Sequence, residues 1–135
     1  MSPHEALVTE GREWFVRAQA DLDACAALIQ AELAAEALFH AQQCAEKTMK
    51  AILTWHQIPF KKTHDLDELK LACLPLAGDA AIHLQGIERL SQYAWRFRYP
   101  GAPYSPGRTE AEAARHASSQ LLEAVTVLLK FQFVG

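Results

Sequence analysis

The chain reads as an all-α protein, an up-and-down bundle of four to five helices, and three observations predict it. Apolar residues recur at three- and four-residue spacing through most of the 135 residues. Helix-start signals stand at the expected intervals, and the joins between periodic stretches are short. No internal repeat and no linker interrupts the pattern, so residues 1–135 are expected to form one domain, at a length ordinary for a single core.

Each element can be justified from local residues. Ser2-Pro3-x-Glu5 is a capping box with proline at the first helical position. Gly11 weakens the helix around it, so the firm part of the first helix is expected from about Arg12, with Trp14, Ala18, Leu22, Cys25 and Ile29 inward. A second helix is expected from about Ala34 to His56, with Leu38, Ala41, Ala45, Met49 and Ile52 on its apolar face and Pro59 helping to end it. Asp65-x-x-Glu68 opens a short third helix with the stripe Leu66, Leu69 and Cys73, limited by Pro75. A fourth, about Ala80 to Phe97, uses Ile82, Ile87, Leu90 and Ala94. Thr109-x-x-Glu112 is a capping box for a long last helix with Ala117, Leu121, Val125 and Leu128 inside.

One stretch breaks the helical period. Tyr93, Trp95, Phe97 and Tyr99 alternate with Ala94, Arg96 and Arg98, which fits an extended segment. The upstream stripe favours a helix ending near Phe97, followed by a stiff loop with prolines at 100, 103 and 106.

Composition narrows the function. Half the residues are hydrophobic and 21% are charged, as in an ordinary globular protein. The net charge is -3 and the pI about 6.0, so contact with nucleic acid has to come from a local site, not a basic surface. Cys25, Cys44 and Cys73 are an odd set without short spacing, which argues for reduced, buried thiols over disulfides or zinc. No signal-like start and no span of roughly 20 apolar residues is visible, so a cytoplasmic protein that does not engage the membrane is expected.

Two polar groupings stand out. On the second helix Gln42, Gln43, Glu46, Lys47 and Lys50 form one compact patch. The Glu46–Lys50 pair at i, i+4 is worth only about 0.2–0.5 kcal/mol on a surface, too little to explain the patch. A solvated face is the commoner outcome; a dimer or partner surface is the alternative. Between Tyr93 and Tyr104 lie all three tyrosines, Trp95, Phe97, Arg96 and Arg98. Arginine forks pair with phosphate and aromatic faces stack on bases, so this cluster suits a nucleotide or a single-stranded RNA end. Its alternative is Trp95 and Phe97 in the core with the arginines solvated or ion-paired, and the pre-organised loop tips the balance towards binding. His64 beside Asp65 has a possible acid–base use, but Thr63 to Asp65 read first as a helix cap. His40 and Cys44, one turn apart, make a weak metal pair without a third ligand, so no metal and no cofactor are expected.

Four segments together resemble the HEPN family of small nucleotide-binding helical bundles. They are Phe39-His40-Ala41-Gln42-Gln43-Cys44-Ala45-Glu46-Lys47-Thr48-Met49-Lys50; Trp14 with Ala18, Asp21 and Leu22; Lys62-Thr63-His64-Asp65-Leu66 with Leu69; and Tyr93 with Arg98-Tyr99-Pro100. The resemblance runs from about Trp14 to about Leu129. It implies one of two roles. Many members look like metal-independent ribonucleases with an arginine followed four to six residues later by histidine. Here Arg96 and Arg98 have no such histidine, and Arg108 reaches His116 only at eight, so no catalytic residue is assigned. Other members look like companions of minimal nucleotidyltransferases in toxin–antitoxin-like pairs. The leading expectation is therefore a non-catalytic, homodimeric nucleotide- or partner-binding bundle. Arg98, Tyr99, Arg96, Lys47, Lys50 and His64 are its candidate contacts, and a divergent ribonuclease is the alternative.

Overall fold

A computed structural model describes residues 2–134, with side chains described from residue 2 to residue 130. Met1 and Gly135, the ends of the expected 1–135 domain, lie outside the described residues. The chain begins with α1 (Pro3–Gln30), whose start is the expected capping box. Ser2 Oγ accepts the Glu5 N–H at 3.1 Å and the Glu5 carboxylate accepts the Ser2 N–H at 3.0 Å. Gly11 is buried within α1 and does not interrupt it. A three-residue join leads to α2 (Ala34–Trp55), which packs along α1 more extensively than any other pair of elements pack. Both helices end in the same way, with a left-handed residue that is not glycine. Glu32 has φ 61 and Gln57 φ 57; the next N–H reaches back, Leu33 to the Leu28 carbonyl at 2.8 Å and Ile58 to the Leu53 carbonyl at 2.9 Å. That closure takes up carbonyls the helix ends leave free.

Next comes α3 (Leu66–Cys73), with Asp65 as its cap; the side chain accepts the Asp67 N–H at 3.0 Å. Leu66, Leu69 and Cys73 are buried as the stripe predicts. The expected fourth helix is not α-helical. After a short 3-10 turn at Leu74–Leu76, its place is taken by the 3-10 segments Gly78–Leu84 and Ile87–Ala94, which Gly86 at φ +77 separates. Ile87, Leu90 and Tyr93 are buried three residues apart, and a 3-10 turn stacks i and i+3 in one line. Ile82 is 65% exposed, against the expectation that it faces inward. The helical path stops at Ala94, not Phe97, and residues 95–98 form turns; no strand occurs among the described residues.

The last helix, α4 (Arg108–Val134), begins one residue before the expected cap, so Thr109 lies inside the first turn. Glu112 turns to Arg115 at 3.0 Å instead of closing a capping box. The described part of α4 buries Leu121, Val125 and Leu129 against Leu38, Met49 and Ile52 of α2 in one core. Ser118 Oγ donates to the Ala41 carbonyl at 2.6 Å, which fixes α4 on α2. Cys25, Cys44 and Cys73 are free and buried, as the sequence leads one to expect.

Candidate functional site

The polar patch of α2 is not a solvated face. Gln42 is 0% exposed, Glu46 3% and Lys50 8%. The cover comes from α1 and from the stretch before α3. The Lys50 ammonium lies 5.7 Å from the Trp14 ring and 5.6 Å from the Phe60 ring, inside a partly aromatic enclosure. Buried charge is tolerated only when paired, and two carboxylates do the pairing. Glu46 accepts from Lys50 at 3.0 Å, from His64 Nδ1 at 2.7 Å and from Gln42 at 3.1 Å. Asp21, on α1, accepts from Lys47 at 2.6 Å and from His40 Nδ1 at 2.8 Å. An ionised carboxylate only accepts, so each histidine carries its proton on Nδ1 and leaves Nε2 free of that bond. His64 thus pairs with Glu46, eighteen residues back, and not with its neighbour Asp65. Thr63 caps as expected, its hydroxyl accepting the Asp65 N–H at 3.0 Å.

His40 and Cys44 go separate ways. His40 turns to Asp21, whereas the Cys44 thiol lies 4.0 Å from the Ser118 carbonyl, and burial pushes its pKa up to about 12. No three His, Cys, Asp or Glu side chains converge as a metal cage among the described residues.

The aromatic-basic cluster divides in two. Tyr93 stacks on Phe97 with ring centres 6.1 Å apart, and Phe97 meets Tyr104 edge-on at 5.3 Å. Both tyrosine hydroxyls donate to Glu110 at the start of α4, at 2.6 and 2.8 Å. Burial and then the Glu110 carboxylate raise the Tyr93 pKa. This half is a structural clasp that holds the loop on α4. The other half faces outward: Trp95 is 58% exposed and Tyr99 69%, so neither belongs to the core.

Arg98 crosses from the loop to α2, with its guanidinium 4.4 Å from the centre of the Phe39 ring. Among the described residues neither Arg96 nor Arg98 is in an ion pair. Arg96 instead lies 6.0 Å from the rings of both Trp95 and Tyr104. Arg98, Phe97, Phe39, His40, Glu36 and Ala35 line one open cleft of about 280 Å³. A larger groove of about 510 Å³ runs between Gly78–Leu84 and α4, lined by Asp79, His83, Glu123 and Val127 among others. It has carboxylates and no lysine or arginine, so its chemistry does not suit an anion.

Of the six sequence-predicted contacts, Arg98 alone lines the cleft. Arg96 and Tyr99 flank it in sequence, while Lys47, Lys50 and His64 are bound to the carboxylates Asp21 and Glu46. Phe39, His40, Glu36 and Asp21 were not among them. His40 and Phe39 sit in the patterned segment of α2, but spacing alone cannot show that a loop 58 residues later returns to them.

Known proteins share this architecture. The HEPN domain family matches residues 12–128, and the chain belongs to that family. A crystal structure of TT1696 from Thermus thermophilus is similar to it, with a TM-score of 0.70 and 28% sequence identity over 88% of this chain and 98% of that one. No curated protein matches. No helix among the described residues is long and apolar enough to cross a membrane.

Proposed function

We propose that this HEPN domain is a non-catalytic binding module whose contact site is the cleft under Arg98, and that its ligand is a nucleotide or an RNA end. One observation carries the reading. Arg98, in no ion pair among the described residues, holds its guanidinium on the Phe39 ring at the mouth of a cleft, a pre-organised geometry that suits phosphate. Phe97 and Phe39 supply apolar walls for a sugar or base, and exposed Tyr99 and Trp95 extend the surface next to it. Lys47, Lys50 and His64 support the site through the carboxylates they hold. They hold Asp21 and Glu46, which ties the helix that carries Phe39 to α1 and to the stretch before α3.

In this reading the protein works in the cytoplasm as a homodimer and as the companion of a minimal nucleotidyltransferase, in a toxin–antitoxin-like pair. The missing arginine–histidine spacing supports the non-catalytic role. The test is a melting-temperature shift with a nucleotide panel on wild type and on Arg98→Ala. The expected result is a shift in wild type and none in a variant that melts at the same temperature. Cleavage of RNA by the purified protein contradicts the non-catalytic role.

A further inference from the structure

We infer that the cleft takes a terminal phosphomonoester of a nucleoside, and that His40 is the second phosphate-contact residue beside Arg98. The inference rests on the binding role proposed above. His40 comes into the cleft with its geometry already decided. Asp21 holds Nδ1 at 2.8 Å, and no other hydrogen-bond partner takes up the ring among the described residues. The imidazole is about one-third exposed, whereas the Asp21 carboxylate behind it is only 10% exposed and is fixed a second time by Lys47 at 2.6 Å. With Nδ1 taken by Asp21, Nε2 is the ring nitrogen left for a ligand in the cleft.

Three groups of the cleft decide which phosphate fits: the Arg98 guanidinium, the Glu36 carboxylate and the His40 imidazole. With Asp21 and Lys47 cancelling behind the ring, the cleft carries at most one net positive charge. That suits a single phosphate, and Glu36 disfavours a polyphosphate chain. A phosphomonoester also loses its second proton near pH 6, in the range where imidazole titrates. It can share one proton with Nε2 in either direction, from imidazolium to phosphate oxygen or from P–OH to the free nitrogen. An internal phosphodiester has no such proton to share. A volume of about 280 Å³ holds the phosphate and part of a sugar, with the base on the aromatic rim.

The experiment is isothermal titration of the whole protein with AMP, adenosine and ATP, and with a short oligoribonucleotide bearing either a 5′-phosphate or a 5′-hydroxyl. Wild type, His40→Gln and Arg98→Ala are compared, each checked for unchanged helicity and melting temperature. AMP or the phosphorylated end is expected to bind at least about tenfold more tightly than its phosphate-free counterpart and than ATP, the size of one lost charge-assisted hydrogen bond. Free nucleotide and RNA end are separated by which of the two binds better. His40→Gln is expected to weaken binding about tenfold and to abolish the exchange of protons with buffer that accompanies binding in wild type. Binding of ATP and AMP alike that depends on Arg98 but not on His40 overturns this inference and leaves the binding role intact. No heat with any probe overturns both.

Discussion

Glu46 and His64 meet at 2.7 Å across eighteen residues, a buried carboxylate on α2 holding an imidazole that is itself 63% exposed. The same carboxylate holds Lys50 at 3.0 Å. One side chain therefore joins α2 to the stretch that leads into α3, and a helical ion pair worth a few tenths of a kcal/mol on a surface becomes a structural tie.

Glu46→Ala leaves the Lys50 ammonium enclosed by Trp14 and Phe60 without its counter-charge. Removing one partner of a buried pair costs about 3 kcal/mol or more. For a domain of this size the melting temperature is expected to fall by on the order of 10 °C. Lys50→Met alone strands the Glu46 carboxylate, 4% exposed, and should cost a similar amount, whereas Glu46→Gln with Lys50→Met, which removes both charges and keeps the volume, should cost clearly less. Thermal denaturation followed by circular dichroism measures each.

The sequence disclosed the fold more fully than the site. Capping at Ser2 and Asp65 and the stripes of α1, α2 and α4 obey rules that act within a few residues, so they can be read locally. The left-handed ends at Glu32 and Gln57 carry no glycine to announce them. The 3-10 path from Gly78 to Ala94 is set by packing, since its apolar spacing serves an α-helix almost as well. For the site, Arg98 stood out as an arginine among aromatics. The burial of Glu46 and Lys50 was hidden because it depends on Trp14 and Phe60 closing over them. His40 was hidden because its partner Asp21 and its neighbour in the cleft, Arg98, come from two other parts of the chain.

Gly86 turns the chain between two 3-10 segments at φ +77. A Cβ there meets only the Arg89 side chain, at 3.6 Å or beyond, so space is not the obstacle. The left-handed backbone is. Gly86→Ala is expected to cost about 1–2 kcal/mol with the fold retained, and urea denaturation at constant m-value measures it.

Alkali should weaken the fold through its thiols. Burial raises Cys25 to about 11 and Cys44 and Cys73 to about 12, from an ordinary value of 9.0. The folded chain holds these protons more tightly than the unfolded chain. Their contribution is fully present below pH 9 and is lost as pH rises towards 11 to 12. Raised Tyr93 acts in the same direction above about pH 10. Cys73→Ala should flatten the stability profile over that window, whatever it does to stability at neutral pH.

The same burial predicts thiols that are inert to reagents. Thiolate is the reactive form, so the native protein should react slowly with a thiol-specific dye near pH 8 and yield all three thiols only in denaturant.

The central claim is the location of the contact surface, and a two-dimensional 1H–15N correlation spectrum recorded during titration with AMP tests it most directly. The predicted result is a set of shifts centred on Ala35, Glu36, Phe39, His40, Phe97 and Arg98, absent in Arg98→Ala. Shifts centred instead on Asp79, His83, Glu123 and Val127, along the larger groove, would contradict it.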